Sequence, residues 1–180
     1  MKNPFLRIRR IALHLYLKIK YRDRLIQSCV SNFGSNVEVS ISPMAKMQLG
    51  NIRSERNLLL ASAGNGEMVI GNVFFNQNCV VICRGRIEIN DDCLFGPNCM
   101  IYDHDHKFSS VNGVDAKNYS VGSISIEKNC WIGGGTIILK NTHIGEGTVI
   151  GAGCVVKGDI PAHSIVTADR TLRIQTIVDR

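Results

Sequence analysis

The chain of 180 residues carries 21 Lys and Arg against 15 Asp and Glu, and aromatic residues make up only 6% of it while glycine occurs 17 times. That length suits one domain with a sizeable core, filled by small and branched side chains more than by rings. The charge is polarised: residues 1–24 hold eight Lys or Arg and one Asp, leaving thirteen against fourteen elsewhere, so the body is close to neutral and a basic nucleic-acid groove across it is excluded.

In chain order, the first predicted element is a helix over residues 4–27, PFLRIRRIALHLYLKIKYRDRLIQ, with apolar residues at 5, 8, 12, 15, 19 and 26 forming one stripe. Two readings fit it. The stripe packs on the rest of the protein or on a neighbouring subunit, or the basic amphipathic helix lies on an anionic membrane surface. The run IALHLYL is too short to span a membrane and no small-residue cleavage site follows it, so neither a spanning helix nor a secretory leader is expected. Residues 1–33 are therefore assigned to this helix and a linker.

From residue 34 the chain turns to β character, first as VEVSIS and MQLG without a clear period. IGNVFF, NQNCVV and ICRGRI then fit a six-residue cut loosely, and an extra residue before Ile89 breaks the register. INDDCL, FGPNCM and IYDHDH fit it well. From Ile126 the cut is regular: IEKNCW, IGGGTI, ILKNTH, IGEGTV, IGAGCV, VKGDIP. A leading aliphatic residue and a small fifth residue repeating every six positions match neither a helix nor a single strand; they are the pattern of a parallel β-helix. The domain is assigned to residues 34–168, with its irregular first coils capping the stack and a tail over 169–180.

The seven cysteines (29, 79, 83, 93, 99, 130, 154) are odd in number and contain no CxxC, which suits reduced thiols in a cytosolic protein. Cys93, Cys99, Cys130 and Cys154 fall on the small inward position, where a thiol acts as a compact core group. Between His106 and Ile126 the rhythm stops. The stretch 107–125 is polar, contains Asn-Gly, and reads as a loop thrown out from one corner. It follows directly on DHDH, with His104 and His106 two residues apart, so a functional site is expected there.

These residues carry a resemblance to a family. DHDH before an excursion, followed by NCWIGGGTIILKNTHIGEGTVIGAGCVVKGDIPAHSIV, resembles the hexapeptide-repeat acyltransferases, and most closely their sugar O-acetyltransferase branch, over about residues 67–167. The resemblance implies an all-β fold, a left-handed parallel β-helix with an N-terminal helix, assembled as a homotrimer with active sites between subunits. It implies transfer from acetyl-CoA, as co-substrate, to a hydroxyl of a saccharide or sugar-lipid; the cysteines place the protein in the cytoplasm, and the basic segment 1–27 makes a surface-polysaccharide pathway at the inner face of the membrane the accompanying expectation.

By position the general base carries over to His106, with His104 as the alternative. Histidine titrates in the range needed to deprotonate a sugar hydroxyl, and Asp103 or Asp105 is the candidate for orienting the ring. Strand alternation, however, places both aspartates on the face opposite the histidines. Asp103 and Trp131 are expected near the acceptor. Gly134, Ala152 and Lys157 are expected near the cofactor, with Arg170 and Arg173 replacing the family's usual segment after its DIP stop. His14, His143 and His163 read as structural or surface residues. The competing expectations are N-acetylation of an amino sugar or nucleotide-amino sugar, a zinc site of the carbonic-anhydrase-like β-helices, and a non-catalytic scaffold. The zinc pattern needs a later His pair four residues apart that this chain lacks, so no metal is expected.

Overall fold

The computed structural model describes residues 4–169; Arg170 and Arg173, expected near phosphate, lie outside the described residues. The body is a parallel β-solenoid of about six turns. Each turn has three faces. The first is formed by Glu38–Ile41, Leu59–Ser62, Val80–Cys83, Met100–Tyr102 and the first halves of Ile137–Ile144 and Val155–Ile160. The second is formed by Leu25–Gln27, Lys46–Leu49, Glu67–Ile70, Arg86–Ile89, Ser123–Ile126 and the second halves of the same two long strands. The third is a stack of two-residue strands: Arg53–Ser54, Phe74–Phe75, Leu94–Phe95, Trp131–Ile132, Val149–Ile150 and Ile165–Val166.

The six-residue rhythm maps directly onto this prism. Ile126, Ile132, Ile138, Ile144, Ile150 and Val156 are all buried, and so are Cys130, Thr136, Thr142, Thr148 and Cys154 at the small position. The small residues also have a polar task. Cys93 donates its thiol to Glu127 O at 3.1 Å, Cys99 to Gly133 O at 3.3 Å, Cys130 to Gly145 O at 3.2 Å, and Thr136 its hydroxyl to Gly151 O at 3.2 Å. Each supplies a hydrogen bond to a corner carbonyl of the next coil, so a compact donor fits better here than a purely apolar group.

The upstream coils are longer. Leu25 is paired with Met47, Met47 with Met68 and Met68 with Ile87, spacings of 22, 21 and 19 residues, whereas Ile124 is paired with Thr142, a spacing of 18. The added residues sit between the first and second faces, where Leu60 to Met68 are eight positions apart against four from Ile138 to Thr142. At the corner between the third and first faces, Asn36, Asn57, Asn78 and Asn98 all take positive φ. Asparagine tolerates that left-handed conformation, and these four side chains bond in series from coil to coil at 3.2, 2.8 and 3.1 Å.

The helix is shorter than the sequence suggested. It spans Pro4–Tyr21 and stops where Arg22 takes φ 47. Leu25–Gln27 is already the first strand of the solenoid, so the first coil begins ahead of residue 34. Leu17 and Tyr21 bury themselves on the open end of the stack, Tyr21 Oη donates to Val39 O at 2.8 Å and Arg24 Nη1 to Ile41 O at 3.1 Å. The helix thus covers the edge carbonyls that a terminal coil would otherwise leave unpaired. The apolar stripe read from the sequence faces the other way: Phe5, Ile8, Leu15 and Ile19 are 79, 65, 53 and 76% exposed.

Candidate active site

The stretch 107–125 is a β-hairpin rather than an irregular loop. His104–Ser109 and Gly113–Val121 pair antiparallel, with a register shift after His106. The neck is closed by Gly122 N donating to Asp103 O at 2.7 Å. Lys140, from the coil above, holds the base of the hairpin by pairing with Asp105 at 2.9 Å and donating to Ser120 Oγ at 2.7 Å. The hairpin leaves the corner between the first and second faces, and it leaves there because Asp103 ends the inward column that Ile41, Ser62 and Cys83 form in the coils below.

Asp103 is fully buried. Its carboxylate accepts from Arg84 N at 2.8 Å, Gly85 N at 2.7 Å and Cys83 Sγ at 3.3 Å. Burial, followed by the negative charge of Asp103, pushes the Cys83 thiol up. The remaining partner of the carboxylate is His104, whose Nδ1 lies 3.0 Å from Asp103 Oδ1. Because every other neighbour of this carboxylate donates to it, the ring presents Nδ1–H there, and Nε2 is left as the acceptor. Only 13% of the His104 side chain is exposed. Gly85 permits the arrangement: a Cβ there would meet Gly122 O and the Val121 side chain of the returning hairpin strand.

His106 differs. It is exposed, and its Nδ1 bonds only to the Asp115 carbonyl of the hairpin at 3.2 Å. Tyr119 joins the two histidines, its ring centroid lying 5.4 Å from that of His104 and 4.6 Å from that of His106. Arg84 stacks its guanidinium on the same ring, 3.5 Å from the centroid. An open depression beside the hairpin is lined by Asp105, His106, Lys107, Phe108, Ser120 and Lys140.

Sequence reasoning put Asp103 beside the acceptor. Its burial removes it from any contact with substrate and makes it a partner of His104 instead. Strand alternation failed here because the chain leaves the coil at this corner, so adjacent side chains converge. Arg84, Tyr119 and Lys140 were missed; only the tertiary fold brings them to the histidines.

The residues expected at the cofactor divide between two corners. Gly134 and Ala152 lie at the corner between the third and first faces, whereas Lys157 lies on the same corner as His104. At the former, backbones approach closely: a Cβ on Gly133 would stand 2.5 Å from Ala152 N, and one on Gly134 3.1 Å from Pro97. With Ala152 exposed, this corner is a bare backbone strip along which a thin, extended arm can lie. Trp131 stands outward on the third face, 57% exposed, in one column with Leu94 and Val149. Within one chain the full width of the first face, on the order of 15 Å at the rise of an extended strand, separates the glycine strip from His104.

Comparison with known proteins bears on the fold. Residues 123–158 match the family described as bacterial transferase hexapeptide (six repeats). A protein of Schizosaccharomyces pombe bearing an acetyltransferase name is 35% identical over 111 residues, covering 59% of this chain and 52% of that protein. One from Staphylococcus aureus, also named an acetyltransferase, is 40% identical over 98 residues, covering 54% and 49%. The chain thus spans about half the length of the curated relatives it matches. Among solved structures, the N-acyltransferase AntD of Bacillus cereus, in complex with dTDP and coenzyme A, superposes with a TM-score of 0.64 at 22% identity, over 84% of this chain and 82% of that one. A hexapeptide-repeat acetyltransferase of Vibrio cholerae complexed with acetyl coenzyme A gives 0.56 at 21% identity, over 86% and 71%. At such identities the superpositions establish the shared fold.

Proposed function

We propose, from the premise that residues 123–158 match the bacterial transferase hexapeptide repeats, that this chain transfers an acetyl group from acetyl-CoA to a hydroxyl of a saccharide, directly and with His104 as general base. The observation that carries the reading is the Asp103–His104 pair. A buried carboxylate held by two backbone N–H groups fixes the ring so that Nε2 points its lone pair outward. Nε2 takes the hydroxyl proton as the new carbon–oxygen bond forms. The imidazolium, stabilised by Asp103, returns that proton to the sulfur as the carbon–sulfur bond breaks. His106, bonded only to a hairpin carbonyl, has no such support and falls to an acceptor-side role.

The glycine strip at Gly133–Gly135 with Ala152 suits the pantetheine arm, and Trp131 is placed to cover its acyl end. Since these residues and His104 occupy different corners of one chain, the complete site is formed between subunits, with the base from one copy and the strip from the next. This geometry supports the homotrimer, and it allows Lys157 of one copy to join Gly134 and Ala152 of its neighbour. An amine would be deprotonated by the same ring. Transfer to an amino sugar is therefore separated from O-acetylation only by the acceptor; the N-acyltransferase AntD, of similar fold, has been solved as a mutant in complex with dTDP-4-amino-4,6-dideoxyglucose and coenzyme A.

The test is thiol release from acetyl-CoA across a panel of sugars, amino sugars and nucleotide sugars, with His104→Ala and His106→Ala beside the wild type. Loss of turnover of about 10²-fold or more in the His104 variant, with a smaller effect at His106, is the expected result. Retained turnover in the His104 variant refutes the assignment.

The helix supports peripheral contact with an anionic membrane. Its outward stripe of Phe5, Ile8, Leu15 and Ile19 belongs to the segment that holds the molecule's entire positive excess. Apolar and basic residues together match an acidic bilayer better than they match a near-neutral second copy. None of the described helices is long and apolar enough to cross a membrane. Co-sedimentation with vesicles containing phosphatidylglycerol, lost with Ile8→Asp/Ile19→Asp and absent with neutral vesicles, is expected. A wild type that stays in the supernatant, or self-associates through the helix instead, refutes it.

A further inference from the structure

The transfer reaction leaves the side chain of Arg84 without a role. Its backbone N–H serves Asp103, but its side chain runs back over the hairpin and lies flat on Tyr119, 3.5 Å from the ring centroid. The same ring is in edge contact with His104 and in tilted contact with His106. The guanidinium therefore shares one aromatic support with both histidines. Its Nε is buried and has no hydrogen-bond partner, and among the described residues no carboxylate stands within ion-pair distance of it. The nearby carboxylate of Asp103 is already committed to two backbone N–H groups, a thiol and an imidazole.

A guanidinium held by its face has its rotation restricted and its edge donors pre-aimed. A partly buried cation with an unused N–H, beside a candidate base, lacks the acceptor that such groups normally have. The charge suits a planar or tetrahedral oxyanion, which Arg binds through two parallel hydrogen bonds.

Resting on the transfer reading above, we propose that Arg84 is the anion-recognition point of the acceptor subsite, so that the preferred acceptor carries a phosphate or carboxylate next to the hydroxyl that is acetylated. Tyr119 serves as the platform that holds the guanidinium edge open. The depression lined by His106, Lys107, Asp105 and Lys140 adjoins this point through His106, which shares the Tyr119 ring with Arg84.

The experiment compares glucose, glucose 6-phosphate and glucuronate as acceptors in the thiol-release assay, with the full chain and its Arg84→Gln and Arg84→Lys variants. The readout is the ratio of kcat/KM for each charged acceptor to that for glucose. In the wild type a ratio of about 10 to 100 is expected, the range that one charge-assisted contact supplies. It collapses toward one in Arg84→Gln through KM, and recovers in part in Arg84→Lys, which restores the charge without the fork. A ratio near one in the wild type, or one unchanged by Arg84→Gln, overturns the proposal. So does a variant in which only the KM for acetyl-CoA rises, since the anion would then be a cofactor phosphate. Calorimetric titration of glucose 6-phosphate into wild type and Arg84→Gln separates the two readings. Binding lost in the variant upholds the anion site even if no acceptor is turned over, whereas equal or absent binding in both sinks it.

Discussion

Replacing Asp103 by Asn keeps the shape of the side chain and changes only its hydrogen-bonding character, which makes it the sharpest probe of the site. All four neighbours of the carboxylate donate: Arg84 N, Gly85 N, Cys83 Sγ and His104 Nδ1. The amide must turn its NH2 toward one of them. The least costly orientation keeps an oxygen at the position where Gly85 N donates at 2.7 Å and Arg84 N at 3.1 Å, and gives up the 2.8 Å bond of Arg84 N to the other carboxylate oxygen. The NH2 then faces His104, the one neighbour able to become an acceptor by moving its proton to Nε2. Losing charge-assisted character at the remaining bonds costs about 1–3 kcal/mol of stability, so the variant stays folded.

The catalytic cost is larger. The Nε2–H tautomer offers a hydrogen where the hydroxyl needs a base, and no negative charge remains to stabilise the imidazolium, so kcat should fall by about 10²–10⁴. The assay is thiol release at saturating acetyl-CoA, run beside a urea titration of the same preparations. A folded Asp103→Asn protein that keeps kcat within threefold would refute the reasoning. The Asp103→Ala variant, which orphans two buried N–H groups at once, should instead lose about 2–6 kcal/mol of stability and shows what pure structural damage looks like.

Further outcomes follow from the same structure. Gly85→Ala places a methyl against Gly122 O and Val121; it should displace the hairpin neck and lower activity together with the melting temperature, while Gly113→Ala, at an open turn with φ 67, should cost about 1 kcal/mol without touching activity. Asn57→Ala removes the middle of the asparagine ladder and forces an alanine to φ 60; a loss of about 1–2 kcal/mol in urea unfolding is expected. Of the seven cysteines only Cys29 is exposed, and the Cys79 and Cys93 thiols are pushed up by the thiol of the adjoining coil and by burial; a thiol-reactive dye should label one equivalent in the folded protein and seven in denaturant. Tyr21→Phe strips the Val39 carbonyl of its donor at the capped end of the solenoid, and about 1–2 kcal/mol of destabilisation without loss of secondary structure is expected.

The rhythm of sixes was legible from Ile126 onward because those coils are 18 residues long, three hexads with no surplus, so the same side-chain type returns to the same inward position. It blurred upstream because coils of 19 to 22 residues place their surplus between the first and second faces, where Ile41, Ser62 and Cys83 add a second inward residue and push the next one out of the six-residue cut. The corner between the third and first faces keeps its length in every coil, and its asparagines at positive φ recur in the sequence at residues 36, 57 and 78. The helix was legible as amphipathic, but its orientation was not. Two apolar faces exist on it, and the narrower one, Leu17 and Tyr21, won the solenoid because it carries the hydroxyl that reaches an edge carbonyl.

What the sequence determined by itself was the prism and the place where it is interrupted, because periodic burial is a local property repeated along the chain. It also marked DHDH as the point of interest. What only the tertiary structure decided was which atoms meet at that point. Asp103 turns inward because it continues the column of Ile41, Ser62 and Cys83, and the exit of the hairpin folds His104 back onto it. Arg84 and Tyr119, 35 residues apart, come together only because a coil and a hairpin share a corner. Contacts of that kind depend on the stacking of separate turns, and no spacing within a linear sequence encodes them.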